Sequence, residues 1–382
     1  MGKKADFDKI QQLIESGDKS NINLAFVLAE AKGIHKSELI KPWLGVLRYL
    51  NKETHLKLNL RSDLDTMLCD LVATKVIEFK NCGEIPENIQ KLKNIEKLSV
   101  DYDKFSVKNK IPEKLSKLEQ LRELYLGSVL VPDEIYALEG LERLYLDDNQ
   151  LLKVPEQLSV LKNLKSFRVE HNLIDLIPEF VFSLYNLELL SFSRNQIREI
   201  PDSINRLQQL KTLIITGNLV KDLDALLKFG SIRDLKLDSC LISELKPEIF
   251  EIPTLETLSV FQNPLIKISE NNQPCNLKSF SMGSVPSRDK CEIYEFPQPL
   301  LNCRNLEKLH IQGTFIDRLP PEIGNLTNLT FLNLTFNKIK YLPESIANLK
   351  KLRSFYLAGN GIADEEKKKI SALLPNTKIF FK

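Results

Sequence analysis

One pattern recurs along this chain and limits its possible folds more than any other feature. Most copies have apolar residues at their first, fourth and sixth positions and asparagine at their ninth. Copies follow one another at steps of 23 residues, at Leu141, Leu164, Leu187 and Leu210 and again at Leu306, Leu329 and Leu352. A period of about 20–29 residues is typical of a solenoid, in which each repeat buries its apolar face against its neighbours.

About thirteen repeats fit between residues 74 and 364. They begin at Thr74, Ile95, Leu121, Leu141, Leu164, Leu187, Leu210, Ile232, Leu255, Leu277, Leu306, Leu329 and Leu352. The L-x-L portion alternates with a period of two, so it predicts a short strand whose leucines point inward and whose other residues point outward. Stacking these strands gives a parallel sheet on the concave face of an arc. We therefore predict an α/β solenoid.

The ninth position has a predicted structural role. A buried amide there can satisfy backbone groups where the chain leaves the strand, which an apolar side chain cannot do. Cys240 and Thr314 are small substitutes that donate or accept more weakly. The asparagines expected to form this ladder are Asn149, Asn172, Asn195, Asn218, Asn263, Asn337 and Asn360.

The second half of each repeat returns the chain along the convex side. Residues 319–326 are a typical example, with Pro320 and Pro321 at the start. Proline lacks an N–H and disfavours helix in the residue before it, so we expect extended segments or single short turns.

This pattern, with Ile or Leu followed by Pro after the asparagine, resembles the 23-residue class of leucine-rich repeat proteins, which includes the Ras-group and related bacterial intracellular repeat proteins. The resemblance covers roughly residues 74–364. It implies an arc of repeats that binds other proteins on its concave face. It also implies an alternative function, in which the chain regulates or scaffolds a small GTPase or another signalling enzyme.

The two ends lack the repeat and show helical spacing. We predict a helical N-terminal cap over residues 1–72, a repeat solenoid over 73–364 and a C-terminal cap over 365–382. Helices are expected near residues 7–14, 24–28, 37–50 and 62–72. A solenoid needs its open end covered, although the N-terminal region could instead be a separate docking module.

The longest interruption of the repeat lies at residues 284–297. Insertions in repeats form loops on one face and often carry recognition. The alternative is a drifted repeat without a role of its own.

Composition narrows the function. With 53 Lys and Arg against 51 Asp and Glu, the net charge of +2 gives no general attraction to nucleic acid or to an anionic membrane. We find no signal peptide or membrane-spanning segment. The six cysteines have no paired spacing, so we expect free thiols and a cytoplasmic location. We also expect a monomer.

The register of the repeats predicts the binding residues. Outward positions of neighbouring strands line up in columns, and aromatic residues and arginine commonly anchor interfaces. The alternative is that these outward residues form an ordinary solvated strand face that binds no partner. The predicted partner-binding residues are Tyr125, Tyr145, Asp147, Asp148, Arg168, Glu170, His171 and Arg194, with a second group of Phe261, Phe336 and Tyr356.

Catalysis has little support in the sequence. Only His171 has acidic neighbours in the predicted columns, and we find no phosphate-binding loop or Cys-x-x-Cys pair. We expect a non-enzymatic protein-binding module without a cofactor or metal, whose partner the sequence does not identify.

Overall fold

The computed structural model describes residues 2–16, 18–43, 68, 70–82, 85, 88–102, 111–128, 131–270, 273–285 and 291–382. The chain divides into two compact units. The first unit is Met1–Asn172 and the second is Leu173–Lys382.

The first unit begins with helices, as predicted. These are α1 (Gly2–Glu15), α2 (Lys19–Ala31) and α3 (Lys36–Ile40). Of the helix expected over residues 37–50, the part up to Ile40 is α-helical, and a 3₁₀ turn follows at Lys41–Trp43, where Pro42 has no N–H to donate. Residues 68 and 70–72 are helical, and residues 44–67 and 69 lie outside the described residues.

The N-terminal helices contact the first repeat. Lys91 Nζ lies 2.8 Å from Glu15 Oε1 in α1, and Asn88 donates to the Pro42 carbonyl at 3.2 Å. Gln11 in α1 donates to the Leu39 carbonyl at 2.7 Å, which ties α1 to α3. These contacts are of the kind that a cap makes, while the predicted domain boundaries stay a prediction.

Five parallel strands follow in the first unit. They pair in chain order and are β1 (Val76–Cys82), β2 (Lys97–Tyr102), β3 (Glu123–Gly127), β4 (Arg143–Tyr145) and β5 (Ser166–Arg168). In register, Tyr125 lies opposite Tyr145 and Tyr145 opposite Arg168. One strand per predicted repeat confirms the repeat assignment in this unit.

The second unit continues the same arrangement. Its strands are β6 (Leu189–Ser191), β7 (Thr212–Ile214), β8 (Asp234–Lys236), β9 (Glu244–Leu245), β10 (Thr257–Phe261), β11 (Lys267–Ile268), β12 (Ser279–Gly283), β13 (Lys308–Gln312), β14 (Phe331–Asn333), β15 (Ser354–Tyr356) and β16 (Lys378–Phe380). All except β9 and β11 pair in chain order in one parallel arrangement, and β9 pairs with β11 separately. The helical spacing predicted for the C-terminal end corresponds to a helix, here called α5 (Asp364–Leu373), and the final strand β16 follows it.

Short turns form the return segments, as predicted. Most begin after a proline or an apolar residue, and burial of one to three side chains fixes each against the core. One return segment is instead a single helical turn, α4 (Glu248–Glu251). The 3₁₀ turns are Ile89–Lys91, Glu113–Lys117, Asp133–Ala137, Glu156–Val160, Glu179–Ser183, Asp202–Arg206, Asp224–Leu226, Gln298–Asn302, Pro321–Asn325 and Glu344–Asn348.

The core consists of the inward strand residues and the apolar residues of the return segments. Leu124 and Leu144 in the first unit, and Leu213 and Leu332 in the second, are fully buried. Burying each such side chain contributes about 1.5–3 kcal/mol. Most outward residues between them are exposed or half-buried, although Ser166 and Ser191 are buried, so the strands present a largely polar and aromatic face within each unit.

The asparagine ladder is present, with six of the seven predicted asparagines buried and Asn360 half-buried, which confirms the register. Asn172 accepts from the backbone N–H of Leu151 at 2.9 Å and donates to the Leu146 carbonyl at 2.9 Å. Asn263 accepts from Ile242 at 3.0 Å in the same way. Cys240 occupies this position with weaker sulfur contacts, 3.4 Å to the Ile215 carbonyl.

In most repeats the residue before the ladder position adopts a left-handed backbone, a feature that the sequence analysis did not anticipate. His171 has φ of 54° and Phe336 has φ of 56°, although neither is glycine. This region is sparsely populated by residues with a Cβ. The chain therefore turns sharply at the ends of these strands, next to the side chains that point outward.

The cysteines require one correction. Cys275 and Cys303 form a disulfide, with Cα atoms 4.6 Å apart, so they are not free thiols. Cys240 and Cys291 are free and buried. The cytoplasmic location is predicted from free thiols. Cys275 and Cys303 do not support that prediction, because disulfides persist mainly in oxidising compartments.

None of the helices in the described part of the chain combines the length and apolar character needed to cross a lipid bilayer.

Candidate functional site

The outward face of β2 to β5 holds a compact group of aromatic and charged side chains, here called the tyrosine surface: Lys97, Tyr125, Tyr145, Asp147, Arg168 and Glu170. The rings of Tyr125 and Tyr145 stack with centroids 4.2 Å apart and planes 26° apart. They meet because parallel strands place equivalent positions about 4.8 Å apart. The predicted aromatic column is therefore a packed pair.

Cations lie over both ends of this tyrosine pair. Lys97 Nζ is 4.9 Å from the Tyr125 ring centroid, and the Arg168 guanidinium is 5.0 Å from the Tyr145 centroid. Such contacts contribute about 0.5–1 kcal/mol at exposed sites. The two rings are thus held between two positive groups.

Arg168 is fixed by carboxylates. Its Nε donates to Asp147 Oδ2 at 2.9 Å, a second guanidinium nitrogen contacts the same oxygen, and Glu170 Oε1 lies 3.6 Å away. Desolvation lowers the pKa of Arg168, but the Asp147 hydrogen bond and both negative charges raise it above its ordinary value overall. Arg168 is therefore a positioned, permanently charged group.

Burial and the neighbouring Tyr145 raise the pKa of Tyr125 to about 12. Its hydroxyl consequently stays protonated at neutral pH. Beside the pair lies an open hollow of about 260 Å³. Gly127 contributes no side chain to it, and Asp101 and Asp148 lie along its rim.

Three predicted residues occupy the left-handed position at the strand ends. Asp148 and His171 lie in the first unit, with Asp148 Oδ1 4.0 Å from His171 Nδ1. Arg194 lies at the equivalent position in the second unit. Within the described ranges, no three His, Cys, Asp or Glu side chains are grouped closely enough to hold a metal ion.

The second predicted group lies in the second unit, and the structure does not bring its three members together: Phe261 and Tyr356 belong to separate clusters. Phe261 packs on His310 with centroids 5.2 Å apart. Burial lowers the pKa of His310, and its hydrogen bond to Gln312 opposes this shift. Phe336 lies apart from both clusters, 47% exposed, over the backbone of Gly359.

Tyr356 joins two aromatic residues that the sequence analysis missed. Its ring stacks on Phe380 with centroids 4.3 Å apart and lies 5.4 Å from Phe331. Phe331 occupies an outward strand position, so the same column reasoning could have found it. Phe380 belongs to β16, which follows the last repeat, and the repeat pattern carries no signal for it.

Part of the insertion packs against a repeat. Tyr294 stacks on Phe315 with centroids 5.0 Å apart, and Lys338 Nζ lies 4.5 Å from the Phe315 centroid. Tyr294 remains 60% exposed. Residues 286–290 of the insertion lie outside the described residues.

Comparisons with known proteins agree with this architecture. The family model for the leucine rich repeat matches residues 162–220 and 304–362. A leucine-rich repeat protein of Leptospira interrogans superposes with a TM-score of 0.70 at 22% identity, covering 88% of this chain and 98% of that chain. No match to a curated protein was found.

Two further solved structures share the fold. An internalin, InlF, from Listeria monocytogenes gives a TM-score of 0.58 at 20% identity, covering 81% of each chain. A plant peptide hormone receptor, RGFR1, in complex with RGF2 gives 0.54 at 24% identity, covering 77% of this chain and 49% of that chain. At these identities the likeness establishes the fold alone.

Proposed function

Because the chain is a leucine-rich repeat protein, we propose that it works by binding a protein partner, without catalysis, on the outward face of its strands. This fold is commonly used for protein–protein interaction. The tyrosine surface is the part of that face we assign to the partner. The observation that carries this proposal is the stacked Tyr125–Tyr145 pair held between Lys97 and Arg168.

The composition of the tyrosine surface is that of an interface centre. Tyrosine and arginine dominate binding hot spots because they bury a large area and offer directed polar contacts. Tyr125 and Tyr145 keep their hydroxyls, and Tyr145 shares a 3.2 Å hydrogen bond with Ser166. A partner can therefore stack on the rings and hydrogen-bond at their edges.

The tyrosine surface is also pre-organised. Both rings stand on paired strands, and Asp147 holds the Arg168 side chain through a hydrogen bond of 2.9 Å. Immobilising a flexible side chain on binding costs about 0.5–1.5 kcal/mol. Here these side chains are already held in place before a partner binds, so less conformational entropy is lost on binding.

Capture of partners from the native organism tests the proposal. The test variant combines Tyr145→Ala with Arg168→Gln, which removes the stack and one cation and leaves a side chain that can still hydrogen-bond Asp147. Glutamine is preferred to glutamate because Asp147 and Glu170 both lie beside Arg168. Circular dichroism and the urea midpoint establish that the variant is folded.

The matched control combines Tyr185→Ala with Arg206→Gln. Tyr185 is 61% exposed and Arg206 is paired with Glu179 at 2.7 Å, and both lie on return segments rather than strands. We expect a partner that the unmodified chain and the control retain and the test variant loses. A set of partners identical in all three would refute the assignment of the tyrosine surface.

The same capture tests the alternative stated from the sequence, regulation of a small GTPase. A GTP-binding partner whose capture depends on the bound nucleotide would favour that function. Capture of proteins without nucleotide-binding activity would count against it.

A further inference from the structure

The outward residues of β13 to β16 include two lysines and no Asp or Glu. Both lysines, Lys308 and Lys378, are exposed, and neither forms an ion pair with a carboxylate of the described residues. The tyrosine surface is built differently, because its Arg168 pairs with Asp147 and lies 3.6 Å from Glu170. The outward strand positions in this part of the second unit therefore present two lysines without a carboxylate ion-pair partner in the described part of the chain.

Aromatic residues occupy the area between these two lysines. Phe331 packs against Tyr356, which stacks on Phe380. Lys378 Nζ lies 5.0 Å from the Phe380 ring centroid, at one border of this group. We call the combination of Lys308, Phe331, Tyr356, Lys378 and Phe380 the aromatic–lysine surface.

The strand register fixes the distance between the lysines. Lys308 is aligned with Phe331, then with Ser354, and then with Lys378, which places the lysines three strand steps apart. At about 4.8 Å a step, their Cα atoms are about 14 Å apart. An extended peptide rises about 3.3 Å a residue, so residues i and i+4 are about 13 Å apart. Alternate residues of such a peptide face the same side.

We propose that the aromatic–lysine surface binds an extended acidic segment of a protein partner that crosses β13 to β16. Its side chains facing the sheet are a carboxylate at position i, an aromatic or large aliphatic residue at i+2 and a carboxylate at i+4. The carboxylates pair with Lys308 and Lys378, and the central side chain packs on Phe331 and Tyr356, next to the small Ser354.

The observations favour a peptide over a polyanion. Proteins that bind nucleic acid through phosphates use about 6–10 such contacts, whereas this face offers two lysines at one separation. The aromatic centre also requires an apolar group between the two charges. A short peptide supplies both features within five residues.

This inference rests on the proposed function only in treating the strand face as a binding surface. It concerns a different unit and different residues. The probe is a fluorescein-labelled peptide of sequence Gly-Ser-Glu-Ser-Phe-Ser-Glu-Ser-Gly, titrated with the full chain in a fluorescence anisotropy assay. Comparison peptides replace both glutamates with lysine, or move the second glutamate one residue closer to the first.

The test variant combines Lys308→Glu with Lys378→Glu. Its matched control combines Lys228→Glu with Lys350→Glu, two exposed lysines on return segments of the same unit that undergo the same change in charge. We expect the test variant to bind the acidic peptide at least about tenfold more weakly and the control to bind within about twofold. Raising salt should weaken binding to the unmodified chain.

Three results would overturn the inference. They are absence of saturable binding of the acidic peptide to the unmodified chain, equal binding of the lysine peptide, and equal loss of binding in the test and control variants. Failure of the tyrosine surface is separate, because a Tyr145→Ala, Arg168→Gln chain should bind the acidic peptide normally. Equal binding of the displaced-glutamate peptide would refute the crossing geometry.

Discussion

Replacing Asn263 with alanine should destabilise the second unit far more than an ordinary polar substitution. The Asn263 side chain is fully buried. Its oxygen accepts from the Ile242 N–H at 3.0 Å, and its nitrogen donates to the carbonyls of Leu237 at 2.8 Å and Val260 at 3.0 Å. Alanine leaves these three backbone groups without that partner.

The expected loss follows from these contacts. An unsatisfied buried donor or acceptor costs about 1–3 kcal/mol, and a carbonyl with another partner costs near the lower end. One N–H and two carbonyls together give a loss of about 3–5 kcal/mol in the free energy of unfolding. Cysteine at this position should cost less than alanine, since Cys240 fills the equivalent position with sulfur contacts.

Urea denaturation and amide hydrogen exchange measure this effect. The control is Asn276→Ala, because Asn276 is exposed and donates one hydrogen bond, to the Pro253 carbonyl at 2.8 Å. Its loss should be about 1 kcal/mol or less. Exchange at the Ile242 amide should accelerate in the Asn263→Ala chain only. If both variants shift the midpoint equally and Ile242 stays protected, the ladder does not stabilise the fold as reasoned here.

Three further perturbations have defined outcomes. Gly359→Ala should lower the free energy of unfolding by about 1–3 kcal/mol, because the φ of Gly359 is +70° and an added Cβ would overlap the Phe336 ring. An unchanged thermal midpoint would contradict this. The raised pKa of Tyr125 stabilises the fold fully below its unfolded value near 10, and this contribution is lost as pH rises through about 12. Tyr125→Phe should therefore flatten the fall of stability across that window, and an unchanged profile would show that another group causes it. Peptide mapping without reductant should find Cys275 joined to Cys303, and recovery of both as alkylated thiols would refute the disulfide.

Much of the fold followed from the sequence because the repeat is constrained at almost every position. Inward leucines and ladder asparagines must be buried together, so their spacing fixes where each strand begins and which side chains face outward. Tyr125 and Tyr145 could be placed side by side for this reason. The contact between Arg168 and Asp147 required coordinates, because it joins different outward columns of neighbouring strands.

Other features had no readable signal. Cys275 and Cys303 are separated by 28 residues, without a paired motif, and meet only because neighbouring repeats stack. Glycine marks the left-handed position at Gly217, Gly313 and Gly359, but the equivalent positions at Asp148, His171, Arg194 and Phe336 carry no such signal. Phe380 lies beyond the last repeat, so only the pairing of β16 with β15 reveals its contact with Tyr356.

The left-handed residue at each strand end restricts how this protein could be diversified as a binding scaffold. These positions point toward any partner, so a combinatorial library would naturally randomise them. Residues branched at Cβ are the least compatible with positive φ, and valine, isoleucine and threonine should therefore be excluded. Asparagine, aspartate and glycine should be enriched among stable clones. A substitution at His171 or Arg194 would thus first have to be compatible with the left-handed backbone, and only then could its contacts with the target change the affinity.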